Sequence, residues 1–546
     1  MAAVSIRGGG GRVALGHLAI ERTVVRRRTA WVGAAIAALL LAACTATSTT
    51  PPVSNSPSSS VGPATPSTAA SPTAPPTAAL SKYYGQQLRW TDCGAPFQCS
   101  ELVVPLDYSQ PSGATISLAV IRLRTASPAT RLGSLVLNPG GPGGSGVAYA
   151  RGAEAVVDDP VRARYDIVGF DPRGVGASAP VHCLSGQQID LYTTTDGTPT
   201  TPAAVAQQVA VSKMFAAGCA TKSPKLYGHV GTPNSARDVD ILRAVLGDKT
   251  LNWLGASYGT FLGATYAELF PTRVGRMVLD GAIDPTLTNN QLALGQAKSF
   301  DLALRRFVAS CDKQRDCPLP TTSIQAGIAR IQTLFLSLQK KPLSTGGGRP
   351  LTSALAMNAV LSYLYFPPDD WDQLRHGLTD ALSGAGATLL SMLDSRQGRQ
   401  ANGQYDDNST DALYAVNALD RPDRPGVVET EASATAWAKV APVFGAFLAW
   451  GQLPYAYWTA PATDTEHRIT APGSPPILVV GTTYDPATPY AWARSLAKQL
   501  SKGVLLTRIG DGHTAYGMGS ACIDKAIDTF LVSGTPPLPG TVCRTG

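Results

Sequence analysis

At 546 residues, with 44% hydrophobic and 15% charged side chains, the chain is too apolar for wholesale disorder and long enough for a main domain carrying a large insertion. The formal charge of +7 is unevenly placed: six of the 45 Lys and Arg residues but one of the 38 Asp and Glu residues precede Cys44, leaving 39 against 37 from there on. That near balance excludes the concentrated basic face that nucleic-acid binding requires, so no nucleic-acid partner is expected.

In chain order, Arg26, Arg27 and Arg28 lead into the apolar run Ala30–Ala43. A membrane span needs roughly 20 apolar residues, and this shorter run suits a signal-peptide core within residues 1–43. The stretch LLAAC that ends it resembles a bacterial lipobox, in which Cys44 becomes a lipidated N-terminus; an ordinary signal peptide that contains a cysteine is the alternative. Residues 44–80 are almost entirely Ser, Thr, Pro and Ala, too poor in apolar side chains to offset the entropy of ordering, and read as an extended stalk. Together these features predict an exported protein, anchored in the cell envelope through lipid and facing outward, or released.

Eight cysteines remain beyond Cys44, in local couples: Cys93 and Cys99, Cys183 and Cys219, Cys311 and Cys317, Cys522 and Cys543. In an oxidising compartment these predict four disulfides, although spacing alone does not fix the pairing. The sequence has no Cys-x-x-Cys pair and its six histidines are scattered, so neither a metal nor another cofactor is expected.

The folded body reads as α/β. Apolar runs at 134–138, 166–170 and 251–256, then "RMVLDG", "PILVVGTTYD" and "GVLLTRIGDGH", alternate with helical patterns, as in a mostly parallel sheet covered by helices. One such pattern, "SARDVDILRAVLG", predicts a helix capped by Asn234 or Ser235. Residues 81–284 and 472–546 form the two parts of this core. Helical periodicity dominates 285–471, which predicts an inserted, mainly helical lid.

Chemistry concentrates at the ends of the strands. Ser257 sits between Gly255 and Gly259 where a strand turns into a helix, the strained position that lets a serine oxygen stand clear of the backbone. A serine nucleophile needs a base and a group to orient it. His513, in "RIGDGHTAYG", directly follows a strand, whereas His376 and His467 read as solvated loop residues. Asp485 ends "PILVVGTTYD" and is preferred as the acid; Asp280, ending "RMVLDG", is the second candidate, with a structural role in capping local backbone N–H groups as its other reading. "NPGGPGGSG" follows a strand as an oxyanion loop would, making Gly141 and Tyr258 the expected donors. Thr488, three residues past Asp485, either shapes the site or serves as a turn hydroxyl.

With "GFDPRGVGAS", "LDGAIDP", "TTYDPATP" and "GDGHTAYG" added, the chain resembles the exported tripeptidyl aminopeptidases, bacterial α/β-hydrolases related to the proline iminopeptidases. The resemblance covers about Trp90 to Cys543 and implies the α/β-hydrolase fold, with Ser257 as nucleophile, Asp485 as acid, His513 as base, and Gly141 and Tyr258 as oxyanion donors. Where proline iminopeptidases begin this loop with histidine, Pro139 stands, which leaves the backbone donors intact but does not supply the histidine side chain. The implied activity is release of short peptides, often tripeptides, from free N-termini of peptides or proteins. Asp369, Asp370, Asp372 and Glu429 are lid carboxylates available to a substrate ammonium, and surface charge is the other reading of each. A carboxylesterase or lipase acting on envelope lipids or small esters is the enzymatic alternative, and a non-catalytic surface-binding lipoprotein the other.

Overall fold

The computed structural model describes residues 74–544; the expected signal peptide, Cys44 and nearly all of the stalk lie outside the described residues. Strands buried on both faces form the middle of the sheet: β4 (Gly133–Asn138), β5 (Tyr165–Phe170), β6 (Leu251–Ala256), β7 (Val274–Asp280) and β8 (Ile477–Tyr484). Their near-continuous apolar sequences follow from having helices on either side. At one margin lie β1 (Thr91–Asp92), β2 (Phe97–Pro105) and β3 (Thr115–Leu123); at the other, β9 (Gly503–Asp511) and β10 (Val542–Arg544).

The spatial order is β1-β2-β3-β5-β4-β6-β7-β8-β9-β10. The first three strands and the β3–β5 pair are antiparallel, and every pair from β5–β4 to β9–β10 is parallel. Parallel order brings the carboxyl ends of β4, β6, β7, β8 and β9 to one edge, where ligands bind in open α/β sheets. This is the α/β-hydrolase fold.

Between β7 and β8 the chain builds helices from Asn289–Cys311 to Gly445–Trp450. Most of them share an apolar core of their own, with Phe300, Phe307, Leu355, Leu374 and Phe444 buried in it. The helix Ser409–Asp420 instead packs into the main core through Ala412, Ala415 and Leu419. Two helices ahead of β6, Gly186–Thr194 and Pro202–Lys222, extend this layer, and Val205 and Val209 of the second pack on its core.

Two details differ from the sequence reading. The helix expected to start at Asn234 or Ser235 spans Thr232–Val245 with Gly231 as its N-cap. Asp420 causes the earlier start, accepting from Thr232 N at 2.7 Å and Oγ1 at 2.6 Å. His376 lies on the exposed face of the helix Asp369–Leu382 rather than in a loop, while His467 pairs with Glu268 at 2.8 Å. Disulfides join Cys93 to Cys99, Cys183 to Cys219, Cys311 to Cys317 and Cys522 to Cys543.

Arg173, in the "GFDPRG" stretch, is fully buried and spends its guanidinium on five acceptors: both oxygens of Asp238 and the carbonyls of Pro105, Leu106 and His229. Removing one partner of such a pair strands a buried charge. Asp238→Ala is therefore expected to cost about 3–5 kcal/mol of unfolding free energy in a urea titration.

Candidate active site

The site begins with a steric problem at the end of β6. Ser257 has φ 55° and ψ −123°, a left-handed conformation that costs a non-glycine residue of the order of 1–3 kcal/mol. The turn fits only because its neighbours lack side chains. A Cβ on Gly255 would stand 2.3 Å from the Gly259 carbonyl oxygen, and one on Gly259 would stand 2.7 Å from that of Asn138. The Asp280 carbonyl then accepts the Ser257 N–H at 2.8 Å, and the buried Trp253 indole donates to Gly259 O at 3.1 Å. From this turn runs the helix Tyr258–Leu269.

The glycine loop after β4 lies directly on the Ser257 turn. A Cβ on Gly140 would approach Ala256 O to 2.4 Å and Tyr258 N to 2.8 Å. Gly140 N–H donates to Asn138 Oδ1 at 3.0 Å, and Gly140 O accepts from Gly144 N at 3.0 Å. Gly141 N–H and Tyr258 N–H have no protein acceptor among the described residues. The far end of the loop is held by Asp171, which accepts from Ser145 Oγ at 2.6 Å, Val147 N at 3.1 Å and Ala177 N at 2.9 Å. That explains the acid of "GFDPRG", to which the sequence reading assigned no role.

Asp485, buried just past β8, meets His513, buried just past β9. His513 Nδ1 lies 2.9 Å from Asp485 Oδ1 and 3.0 Å from Oδ2. A carboxylate only accepts, so Nδ1 carries the proton and Nε2 is left with its lone pair. Four further donors fix Asp485: Ala487 N, Thr488 N, Thr488 Oγ1 and Thr514 N, at 2.8–3.1 Å. Thr488 Oγ1 also stands 3.3 Å from His513 Nδ1. The His513 N–H donates to Tyr365 O at 2.8 Å, and the two rings meet edge to face at 5.4 Å.

Ser257, His513 and Gly141 line one cavity of about 160 Å³, and no hydrogen bond joins Ser257 to His513. Such contacts tighten when substrate arrives. The remaining wall is largely apolar, with Tyr149, Val156, Tyr365, Phe366, Tyr516 and Met518. Tyr365 and Phe366 come from the helical segment between β7 and β8, and nothing in their local pattern marked them.

The carboxylates considered for an ammonium are not in that wall. Asp370 pairs with Arg396 and Asp372 with Arg375, and Glu429 accepts the Gly426 N–H at 3.0 Å as a helix cap. Asp280 does not cap local groups. Its Oδ2 accepts from Ala515 N and Tyr516 N, both at 2.9 Å and more than 200 residues away in sequence. Burial raises its carboxyl to about 6.

A family model described as TAP-like protein matches residues 441–543. The chain is 38% identical to serine protease Hip1 of Mycobacterium tuberculosis over 84% of its length and 91% of that protein. It is 36% identical to carboxylesterase B of the same organism, with 82% and 86% covered. With tripeptidyl aminopeptidase of Streptomyces lividans it shares 33% identity, over 83% and 86%. Among solved structures, a hydrolase from Pseudomonas aeruginosa matches 81% of this chain and all of that one, at TM-score 0.33 and 13% identity.

Gly140→Ala pushes the loop off the Ser257 turn. Since misplacement of about 1 Å costs about 100-fold, kcat/KM on a nitrophenyl ester is expected to fall at least that far.

Proposed function

The chain belongs to the TAP-like family of serine α/β-hydrolases, and from that premise we propose that it is an exported aminopeptidase releasing short peptides, tripeptides among them, from free N-termini. The cavity shared by Ser257, His513 and Gly141, with His513 held from behind by Asp485, carries the serine-hydrolase part of this reading, and the relationship to serine protease Hip1 and tripeptidyl aminopeptidase supports the peptidase part. In the proposed mechanism Ser257 Oγ attacks the scissile carbonyl carbon and passes its proton to His513 Nε2. The Gly141 and Tyr258 N–H groups take the developing oxyanion, each such donor being worth about 2.7–4 kcal/mol. His513 then protonates the leaving amine, and water repeats the sequence on the acyl-enzyme. Asp485 fixes the tautomer and stabilises the imidazolium, while Thr488 shapes the site through its bond to that carboxylate.

Residues 285–471 act in this reading as a lid, since Tyr365 and Phe366 of that segment line the cavity. The four disulfides support an oxidising compartment, consistent with export and with an outward-facing lipid anchor at Cys44. Among the described residues no helix is long and apolar enough to cross a membrane.

The relationship to carboxylesterase B favours a second reading, an esterase, and the same acyl-enzyme chemistry serves it. A tripeptidyl chromogenic amide, offered with its N-terminus free and acetylated, separates the two. The aminopeptidase cleaves only the free form, and Ser257→Ala abolishes that cleavage. Hydrolysis confined to a nitrophenyl ester makes the esterase reading the better one. The apolar wall also predicts a preference for an apolar side chain beside the scissile bond. Val156→Asp is expected to shift kcat/KM toward a basic side chain at that position, by about tenfold or more for a newly paired charge.

A further inference from the structure

We infer that Asp280 is a positioning residue: it ties the Ser257 turn to the His513 loop and, when ionised, sets a negative charge beside the imidazolium that forms during turnover. This rests on the roles proposed for Ser257 and His513. It does not depend on whether the substrate is a peptide or an ester.

The Asp280 carbonyl holds the Ser257 N–H at 2.8 Å, and its carboxylate Oδ2 holds the N–H groups of Ala515 and Tyr516 at 2.9 Å. One residue at the end of β7 thus grips the nucleophile's turn and the loop two residues past the base. The next residue, Gly281, packs closely there too: a Cβ on it would meet His513 Cε1 at 3.3 Å and Thr488 Oγ1 at 3.1 Å.

Asp280 is buried, and its Oδ1 has no hydrogen-bond partner among the described residues. For a residue that only braces a loop, an amide would serve at a lower desolvation cost. What a carboxylate adds in this position is charge. The ionisable groups that face it are His513 and Asp485 at the strand ends, Arg508 on β9 and Tyr149 on the helix after the glycine loop. His513 is the one whose charge changes in the proposed reaction.

Asp280→Asn keeps an acceptor for the two N–H groups and removes the charge. It is expected to fold, with a melting temperature at pH 8 no lower than the parent's, because the ionised carboxyl is the form that burial disfavours. Its kcat/KM on a nitrophenyl ester is expected to fall about tenfold. The acid limb of the pH–rate profile should also move to lower pH, since the carboxylate favours protonated His513.

Asp280→Ala, which also frees the loop, should lose more activity than Asp280→Asn. Titration of His513 by NMR in 15N-histidine-labelled protein, assigned with His513→Gln, reads the same charge without any substrate. A titration midpoint lower in Asp280→Asn than in the parent is the expected result. Midpoints that coincide, or an Asp280→Ala variant that is folded and fully active, would overturn the inference.

Discussion

The left-handed backbone of Ser257 is the constraint around which the rest of the structure is arranged. A non-glycine residue stays there only where its surroundings over-determine it. Here three strands contribute: β6 delivers the chain, the end of β7 holds the Ser257 N–H, and the glycine loop after β4 closes over the top. No larger residue fits at Gly255, Gly259 or Gly140 without driving a Cβ into backbone. The glycine spacing in the sequence is therefore a record of backbone contacts. What the contacts secure is a serine turned away from the regular backbone path, next to two N–H groups that have no acceptor among the described residues.

The opposite half of the site is held from several directions at once. Asp485 receives four donors besides His513, so its carboxylate cannot turn without losing them. Asp511, two residues before His513, pairs with Arg306 of the helix Asn289–Cys311, and that guanidinium stacks 3.6 Å from the ring centroid of Tyr484, which precedes Asp485. Tyr365 receives the His513 N–H from the same helical layer. The helices between β7 and β8 thus touch the loops that carry both residues and furnish part of the cavity wall. Changes in that layer are expected to affect the chemistry as well as access to it.

Much of this was legible in the chain. The central strands read as apolar runs because both of their faces are covered, and Ser257, Asp485 and His513 each follow such a run closely. β2 was harder to see, since exposed Glu101 and Val103 alternate with buried Leu102 and Val104 and break the run. The helix start at Thr232 depended on Asp420, which lies 188 residues further on. The partners of Asp280 and the placing of Tyr365 and Phe366 are likewise tertiary, and no local pattern encodes them. Asp370, Asp372 and Glu429 illustrate the converse: their charge was plain in the sequence, but their engagement with Arg396, Arg375 and a helix N-terminus was not.

Covalent capture separates an activated nucleophile at Ser257 from an ordinary serine in a strained turn. The purified protein is treated with a fluorophosphonate and the adduct is located by peptide mass spectrometry. One phosphonyl group per chain is expected, on Ser257, forming much more slowly when His513 is replaced by Gln. An unmodified Ser257, or an adduct on another serine at the same rate in both proteins, would contradict it.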